Sequence, residues 1–352
     1  MSAATAQESL PVTSDLIVTL LQFLGLAGVI IVAGTFLAKY ADAIGELTGL
    51  GGSLAGIVLL ASATSLPELA VDCSAAWMGA EDLAVGTLFG SSLFNLLILA
   101  AFDLSFRSRG RMLSPMAAAH ALSATMSMVL TAIALLGILL AKAGFPLRIG
   151  QFPIGVGSML IGVSYLALMR LVYFDQQYAM QREKHEGTAE TAPPLKLSLK
   201  AAIIGYVVTT LIILVCGPLL ARTADHIASI SGLGRTFIGT TLVALSTSLP
   251  EIVTTLSALR MGAVDLAIGN VFGSNSFNMT ILLAVDFFSG EPVLSIVSFT
   301  HAVSAAMVLL CTAVAISSLL YRPEKRLWII EPDAALMALL IFAALYIVYV
   351  LE

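Results

Sequence analysis

Apolar residues follow one another along almost the whole chain in stretches of helix length, separated by short polar breaks. A helix that crosses the hydrocarbon core of a bilayer needs about 20 such residues. Strands of a membrane barrel would instead alternate over short segments. The pattern therefore predicts an all-α polytopic membrane protein with ten transmembrane helices, at residues 15–38, 46–78, 82–103, 113–141, 148–174, 199–222, 229–261, 265–288, 293–320 and 331–351.

Composition agrees with this class. Of the 352 residues, 59% are hydrophobic and 11% are charged, whereas a soluble domain carries about 25% charged residues. No His, Cys or paired Asp arrangement of a catalytic kind falls within the predicted spans, so we expect neither an enzyme nor a cofactor. The same composition gives no sign of a nucleic-acid partner.

Lys and Arg concentrate in alternate loops, which predicts the orientation, because cytoplasmic loops are enriched in these residues. The richer loops hold Lys39, Arg107, Arg109, Arg111, Arg182, Lys184, Lys196, Lys200, Arg260, Arg322, Lys325 and Arg326. We therefore expect an integral protein of the cell inner or plasma membrane, with both termini on the outer side. The polar stretch 175–198 then forms a cytoplasmic linker between units 1–174 and 199–352.

The chain contains one unit twice, at an offset of 183 residues. GTLFGSSLFN at 86–95 matches GNVFGSNSFN at 269–278, and MGAEDLA at 78–84 matches MGAVDLA at 261–267. Each copy holds five predicted spans, and an odd number places the second copy upside down. Inverted five-helix repeats are typical of transporters, whose sites lie near the midplane where the repeats meet.

The letters TSLPE occur at 64–68 and again at 247–251, each inside a predicted span. Ser followed three residues later by Glu is a capping box, and proline fits the first turn of a helix. The second and seventh helices are therefore predicted to be broken at midplane. Carbonyl groups freed at the breaks, at 61–64 and 244–247, would lie beside the carboxylates of Glu68 and Glu251 and form a cation site. The alternative is that both glutamates only cap a helix.

A second polar pattern places a hydroxyl and an amide on one helix face. Ser91 and Asn95 are four residues apart, as are Ser274 and Asn278. The alternative role for such residues is hydrogen bonding between helices. With the two glutamates, about six to eight oxygens carrying two negative charges suit Ca²⁺. The pattern lacks the His and Cys cluster of zinc, copper or iron sites, and we interpret His120 and His301 as surface or packing residues.

The motifs SATSLPE…GTLFGSSLFN and LSTSLPE…GNVFGSNSFN resemble those of the cation/Ca²⁺ antiporters, in particular the prokaryotic sodium/calcium exchangers. The resemblance covers nearly the whole chain. It implies a core of the second, third, seventh and eighth spans, across which the first and sixth spans slide. It also implies that several Na⁺ ions exchange for one Ca²⁺ at shared oxygens.

By motif position, the resemblance implies a set of ion ligands at symmetric positions. Those are Glu68 and Glu251 as carboxylates, Asn95 and Asn278 as a central polar pair, carbonyls of Thr64, Thr247, Ala61 and Ala244, Ser65 and Ser248 lining the site, and Ser91 and Ser274 at flanking Na⁺ sites.

The chain departs from the family pattern at three places. Asn278 stands where several relatives carry Asp, which disfavours a potassium-dependent mode. Thr87 and Ser92 stand where the first repeat commonly has Asn. Asp72 follows Glu68 by four residues, where the second copy has threonine. Asp72 is either an accessory cation ligand or proton acceptor in the access path, or a water-exposed acid near the end of its span.

The function expected from these features is an antiporter that expels Ca²⁺ against Na⁺ influx. One alternative keeps the fold but uses H⁺ as the coupling ion, or carries another divalent cation. Mg²⁺ is disfavoured because it retains its water ligands. A cation channel is less consistent with inverted repeats and broken helices.

Overall fold

The computed structural model describes residues 4–105, 117–145, 148, 150, 152–186, 197–230, 245–320 and 332–351. These residues are helical apart from turns and short connections. The elements are α1 (Ala4–Thr48), α2 (Gly51–Leu54), a π-helical segment (Ala55–Leu60), α3 (Ala61–Thr64), α4 (Leu66–Trp77), α5 (Glu81–Ser105), α6 (Ala117–Lys142), α7 (Val156–Glu186), α8 (Leu199–Ile230), α9 (Leu249–Met261), α10 (Val264–Ser289), α11 (Val293–Ile296), α12 (Thr300–Leu320) and α13 (Pro332–Leu351).

Within the described residues, seven helices are long and apolar enough to cross a membrane. The segments Gly51–Thr64 and Leu66–Trp77 pass the same test together and make an eighth candidate, while Ala334–Ile347 is a shorter apolar helix. Most of the first part of the predicted seventh span, 231–244, lies outside the described residues. The number of ten spans therefore stays a prediction.

The second span is broken as predicted, with a bend of 43° between its two parts. Ser65 stands at the break with φ −88° and ψ 3°, which is the bridge region rather than a regular helix. Ser248 has nearly the same backbone, φ −86° and ψ 3°. The predicted capping boxes are wrong, because in the described residues neither serine makes a side-chain cap hydrogen bond.

The π-helical segment and its neighbours cross α10 with almost no side chain between the two backbones. A Cβ atom on Gly269 would lie 2.6 Å from the carbonyl oxygen of Ser53, and one on Gly273 would lie 2.7 Å from Cα of Ile57. Glycine is what allows two helices to approach so closely. This crossing positions the break at Ser65 against α10.

The long helices α1 and α8 pack against each other and against the broken helices. Gly34 of α1 lies against α9, where an added Cβ would be 3.0 Å from Cγ1 of Val253. Gly217 of α8, 183 residues further on, lies against α4, where an added Cβ would be 2.6 Å from Cβ of Pro67. The glycines and the helices that they contact therefore match under the sequence repeat, although Pro67 and Val253 are not repeat partners of each other.

Several helices extend beyond the apolar stretches that predicted them. Helix α1 continues to Thr48, past the predicted end of its span at residue 38. Helix α7 continues to Glu186, through residues 175–186 of the predicted linker, and α8 continues to Ile230. An apolar stretch indicates only the part of a helix that lies inside the hydrocarbon core of the bilayer. A helix rich in Gln, Glu, Lys and Arg can continue past that depth, because these residues are good helix formers.

Candidate cation-binding site

Two carboxylates mark the centre of the candidate site. Glu68 lies in the first turn of α4 and Glu251 in the first turn of α9, each preceded by proline. Each residue is only 2% exposed, and the two are close enough to interact electrostatically. The first turn of a helix carries partial positive charge, which favours an acid there. The folding of the two TSLPE motifs therefore places both acids in the same interior.

Hydrogen bonds join the first TSLPE motif to both motifs of the second half. Ser65 Oγ donates to Glu251 Oε1 at 3.4 Å. The hydroxyls of Thr64 and Ser274 lie 3.5 Å apart. Both distances are at the long end of hydrogen bonding, so these contacts leave room to rearrange. The structure thus brings predicted site residues of the two halves together.

A layer of amides connects α5 and α10 beside these residues. Asn95 Nδ2 donates to Asn275 Oδ1 at 2.9 Å, and Asn275 Nδ2 donates to the carbonyl of Ser92 at 3.2 Å. Because the amide nitrogen of Asn95 is engaged, its oxygen points elsewhere. Asn275 was not among the predicted ligands, although it is the repeat partner of Ser92 and stands in the GSN triplet of the second copy.

Many buried oxygens of the predicted site have no hydrogen-bond partner among the described residues. They are Oε1 and Oε2 of Glu68, Oε2 of Glu251, Oδ1 of Asn95, Oδ1 of Asn278, and Oγ of Ser91 and of Ser248. Buried polar groups are normally paired, and an unpaired carboxylate in an apolar interior is costly. A hard cation is the partner that such oxygens fit.

The residues whose carbonyls were predicted as ligands differ in their surroundings. The carbonyl of Ala61 already accepts hydrogen bonds from the backbone N–H of Ser65 at 3.0 Å and from Thr64 Oγ1 at 3.3 Å. The break therefore does not leave this carbonyl unpaired in this conformation, and its role as an ion ligand stays a prediction. Thr247 is buried, and Ala244 lies outside the described residues.

Asp72 is buried, with 1% exposure, so its interpretation as a water-exposed acid is wrong. Thr87 Oγ1 of α5 donates a hydrogen bond to Asp72 Oδ1 at 2.5 Å. Two of the three departures from the family pattern therefore contact each other.

Two His–Asp pairs join the halves of the chain. His120 Nε2 of α6 lies 2.8 Å from Asp265 Oδ1 at the start of α10. His301 Nε2 of α12 lies 3.0 Å from Asp82 Oδ1 at the start of α5. The interpretation of these histidines as surface or packing residues missed the pairing. The available signal was that Asp82 and Asp265 match under the offset of 183, although the histidines do not.

The ligands of the candidate site are oxygens rather than nitrogen or sulfur. In the part of the chain that the structure describes, no three His, Cys, Asp or Glu side chains are grouped as a metal cluster. The chemistry of the site is therefore that of carboxylates, amides and hydroxyls, which bind Ca²⁺ and Na⁺ better than soft transition metals.

Comparisons with known proteins agree with the resemblance. A family model described as sodium/calcium exchanger protein matches residues 18–174 and 201–351. The chain is 30% identical over 277 residues to the putative antiporter CaxA of Alkalimonas amylolytica, covering 77% of this chain and 80% of that protein. It is 52% identical over 58 residues to the sodium/calcium exchanger MaX1 of Methanosarcina acetivorans, covering 16% of this chain and 17% of that protein.

The fold is also similar to solved structures. A structure of the sodium-calcium exchanger NCX_Mj soaked with Na⁺ and Sr²⁺ superposes with a TM-score of 0.62 at 20% sequence identity. The match covers 94% of this chain and 99% of that chain.

Proposed function

The chain belongs to the sodium/calcium exchanger protein family, and we propose that it is a secondary antiporter that exchanges Ca²⁺ for Na⁺ by alternating access. The observation that carries the proposal is the buried pair Glu68 and Glu251. Each acid starts a half-helix, and three of their four carboxylate oxygens have no hydrogen-bond partner in the described residues. Both transported ions are substrates of this site, and the proposal includes no cofactor.

The proposed ligand set surrounds these two acids. It comprises the oxygens of Asn95 and Asn278, the hydroxyls of Ser65, Ser248, Ser91 and Ser274, and the carbonyls of Thr64, Thr247, Ala61 and Ala244. The unpaired oxygens of Asn95, Asn278, Ser91 and Ser248 support this set. Two negative charges balance one Ca²⁺, and the neutral oxygens complete its coordination.

Exchange follows from the electrostatics of this pair. With no cation bound, two carboxylates face each other in a medium of low dielectric constant, where like charges repel strongly. The site is therefore most stable when Ca²⁺ or Na⁺ ions neutralise it. When the protein changes its access state, the site passes through apolar packing, where charges that are not neutralised raise the energy most. The protein therefore changes its access state least readily when the site is empty. Ions then cross mainly by replacing one another.

We propose that ten spans form two inverted five-helix repeats, 1–174 and 199–352, whose second and seventh spans are broken. Matching contacts support this arrangement. Ser65 and Ser248 share one backbone conformation, and Gly34 and Gly217 each face a broken helix of the candidate site. In this proposal both termini lie on the outer side of the cell membrane and the linker 175–198 lies in the cytoplasm.

A second function, in which H⁺ rather than Na⁺ drives Ca²⁺ transport, uses the same site. The buried carboxylate of Asp72 favours keeping this alternative, because carboxylates bind protons as well as cations. A channel would pass Ca²⁺ without any counter-ion, so it is distinguished by flux in the absence of a gradient of Na⁺ or H⁺.

The test of the site is Ca²⁺ uptake by variants of its two acids in reconstituted vesicles. Glu68→Gln and Glu251→Gln keep the size of the side chain but remove one charge each. We expect each to abolish uptake, because one remaining carboxylate cannot balance Ca²⁺.

The matched control is Glu291→Gln. Glu291 is an exposed acid paired with Arg148 at 2.7 Å, and its variant should take up Ca²⁺ like the unaltered protein. Uptake at the unaltered rate by either Glu68→Gln or Glu251→Gln, with monodisperse protein, would show that these two acids are not ligands of the transported ion.

A further inference from the structure

Asp72 is a buried acid that the proposed exchange does not use. It lies on α4 one helical turn after Glu68 and is 1% exposed. Its Oδ1 accepts a hydrogen bond from Thr87. Among the described residues, its Oδ2 has no hydrogen-bond partner, and no Lys, Arg or His forms an ion pair with it. The carboxylate therefore lacks the partner that a buried charge requires.

The second half of the chain shows the same contact without a charge. The positions 183 residues after Asp72 and Thr87 hold Thr255 and Asn270. Asn270 Nδ2 donates to Thr255 Oγ1 at 2.9 Å and so joins α9 to α10, just as Thr87 joins α5 to α4. A neutral pair is thus sufficient for the contact between helices. The negative charge of Asp72 is therefore not required for the packing of the two helices.

The charges that act on Asp72 are negative. Glu68 on the same helix interacts with it electrostatically, and Glu251 of α9 interacts with Glu68 in turn, while the neighbouring thiol of Cys73 is neutral as long as it keeps its proton. Helix α5 contributes the neutral hydroxyl of Thr87. In the described parts of α8 and α10, which also pack against α4, no basic side chain pairs with Asp72. A compensating positive charge must therefore come from solution.

The oxygens available around Asp72 indicate whether the compensating cation is monovalent or divalent. Ca²⁺ takes about six to eight oxygens, usually including more than one carboxylate. In the described part of the molecule, Asp72 does not belong to a group of three acids, histidines or cysteines arranged for a metal. One carboxylate oxygen beside a hydroxyl instead matches a single positive charge, as on Na⁺ or a proton.

We propose that Asp72 and Thr87 form a monovalent-cation site, for Na⁺ or a proton, which the neutral pair of Thr255 and Asn270 does not reproduce. The two halves of the chain then differ by one negative charge. This proposal rests on the proposed function for the passage of ions through the protein, but the occupancy of Asp72 can be measured without transport.

The first experiment labels the purified full chain with a hydrophobic carbodiimide, which reacts with protonated carboxylic acids in apolar surroundings. Peptide mass spectrometry then locates the label. We expect labelling of Asp72 to rise as the pH falls in Na⁺-free buffer. A Na⁺ site shows protection by added Na⁺ at fixed pH, whereas a proton site shows the pH dependence without that protection. Absence of label on Asp72, or labelling that neither Na⁺ nor pH changes, would overturn the proposal.

The second experiment uses the chain's own neutral pair as the control. The double variant Asp72→Thr with Thr87→Asn installs the second-half contact in the first half and removes only the charge. We expect it to fold and to shift the Na⁺ or pH dependence of Ca²⁺ uptake. Dependences identical to those of the unaltered protein would exclude a role for Asp72 in transport.

The two experiments separate this proposal from the proposed function. If the unaltered protein takes up no Ca²⁺ under any gradient, the exchange proposal fails, yet the labelling still decides whether Asp72 holds a monovalent cation. If the double variant does not fold, labelling of the unaltered protein decides in the same way.

Discussion

At the scale of the residue, the decisive feature is two buried acids that form no ion pair with a basic side chain among the described residues. Glu68 and Glu251 are buried and interact with each other, and Glu251 accepts a long hydrogen bond from Ser65 of the other half. Such a pair is costly without cations. Because repulsion between the two acids disfavours the empty site, ions are expected to replace one another at the site rather than to leak through the protein.

The sequence was sufficient to find these acids because their motif recurs at a fixed offset within apolar spans. Residues whose partners are not related by that offset were harder to find. His120 and His301 do not align under the repeat, so the matching positions of Asp82 and Asp265 were the available sign of the two pairs. Asn275 was overlooked for a different reason: its counterpart, Ser92, is bonded through its backbone carbonyl, which no sequence motif records.

At the scale of the element, the crossing of the π-helical segment over α10 sets the position of the break at Ser65. A Cβ atom on Gly56 would lie 2.9 Å from the backbone nitrogen of Asn270 and 3.0 Å from the carbonyl carbon of Gly269. These are backbone atoms, which cannot move aside as a flexible side chain can. The crossing therefore tolerates only glycine at this position.

The crossing predicts that Gly56→Ala is damaging. The added methyl group should force the helices apart at a cost of about 1–3 kcal/mol, lower the melting temperature in detergent and reduce Ca²⁺ uptake.

Gly25→Ala is the matched control. Gly25 lies on the exposed face of α1. Apart from its chain neighbours and the backbone of its own helix, no atom of the described residues lies within 4 Å of an added Cβ there. This variant should melt at or above the temperature of the unaltered protein, because alanine favours a helix over glycine. Equal melting temperatures for Gly56→Ala and the unaltered protein would mean that the crossing is looser than the structure shows.

Most elements were predictable because each apolar stretch is long and bounded by polar residues. The break at Ser65 was predictable from Pro67 and its depth in the span. Two features were not. The extension of α7 to Glu186 involves polar residues outside the hydrocarbon, and the π-helical segment depends on the close contact with α10, a tertiary effect that local sequence does not encode.

At the scale of the whole molecule, two His–Asp pairs fasten the halves together in matching positions. His120 joins α6 to the first turn of α10, and His301 joins α12 to the first turn of α5. With the proton on Nε2, each histidine donates to its aspartate. The Asp265 side chain is 28% exposed and that of Asp82 is 64% exposed. Water screens the more exposed pair more strongly, so the pairs should differ in strength.

Double-mutant cycles in detergent test this difference. Removing His120 by substitution with Asn, together with Asp265→Asn, should reveal a coupling of about 1–2 kcal/mol. The His301–Asp82 cycle should give about 0.5 kcal/mol. The mismatched combination of His120→Asn with Asp82→Asn joins residues of different pairs and should be additive. Coupling in that combination, or none in the matched ones, would contradict independent pairs.

Exchange itself can be measured as ⁴⁵Ca²⁺ uptake by the purified protein in vesicles preloaded with Na⁺, compared with vesicles that carry only a pH gradient. We expect uptake driven by the outward Na⁺ gradient and little uptake when K⁺ replaces Na⁺. Uptake driven by the pH gradient alone would keep the site but make H⁺ the coupling ion. Uptake that needs neither gradient would contradict exchange and indicate a channel.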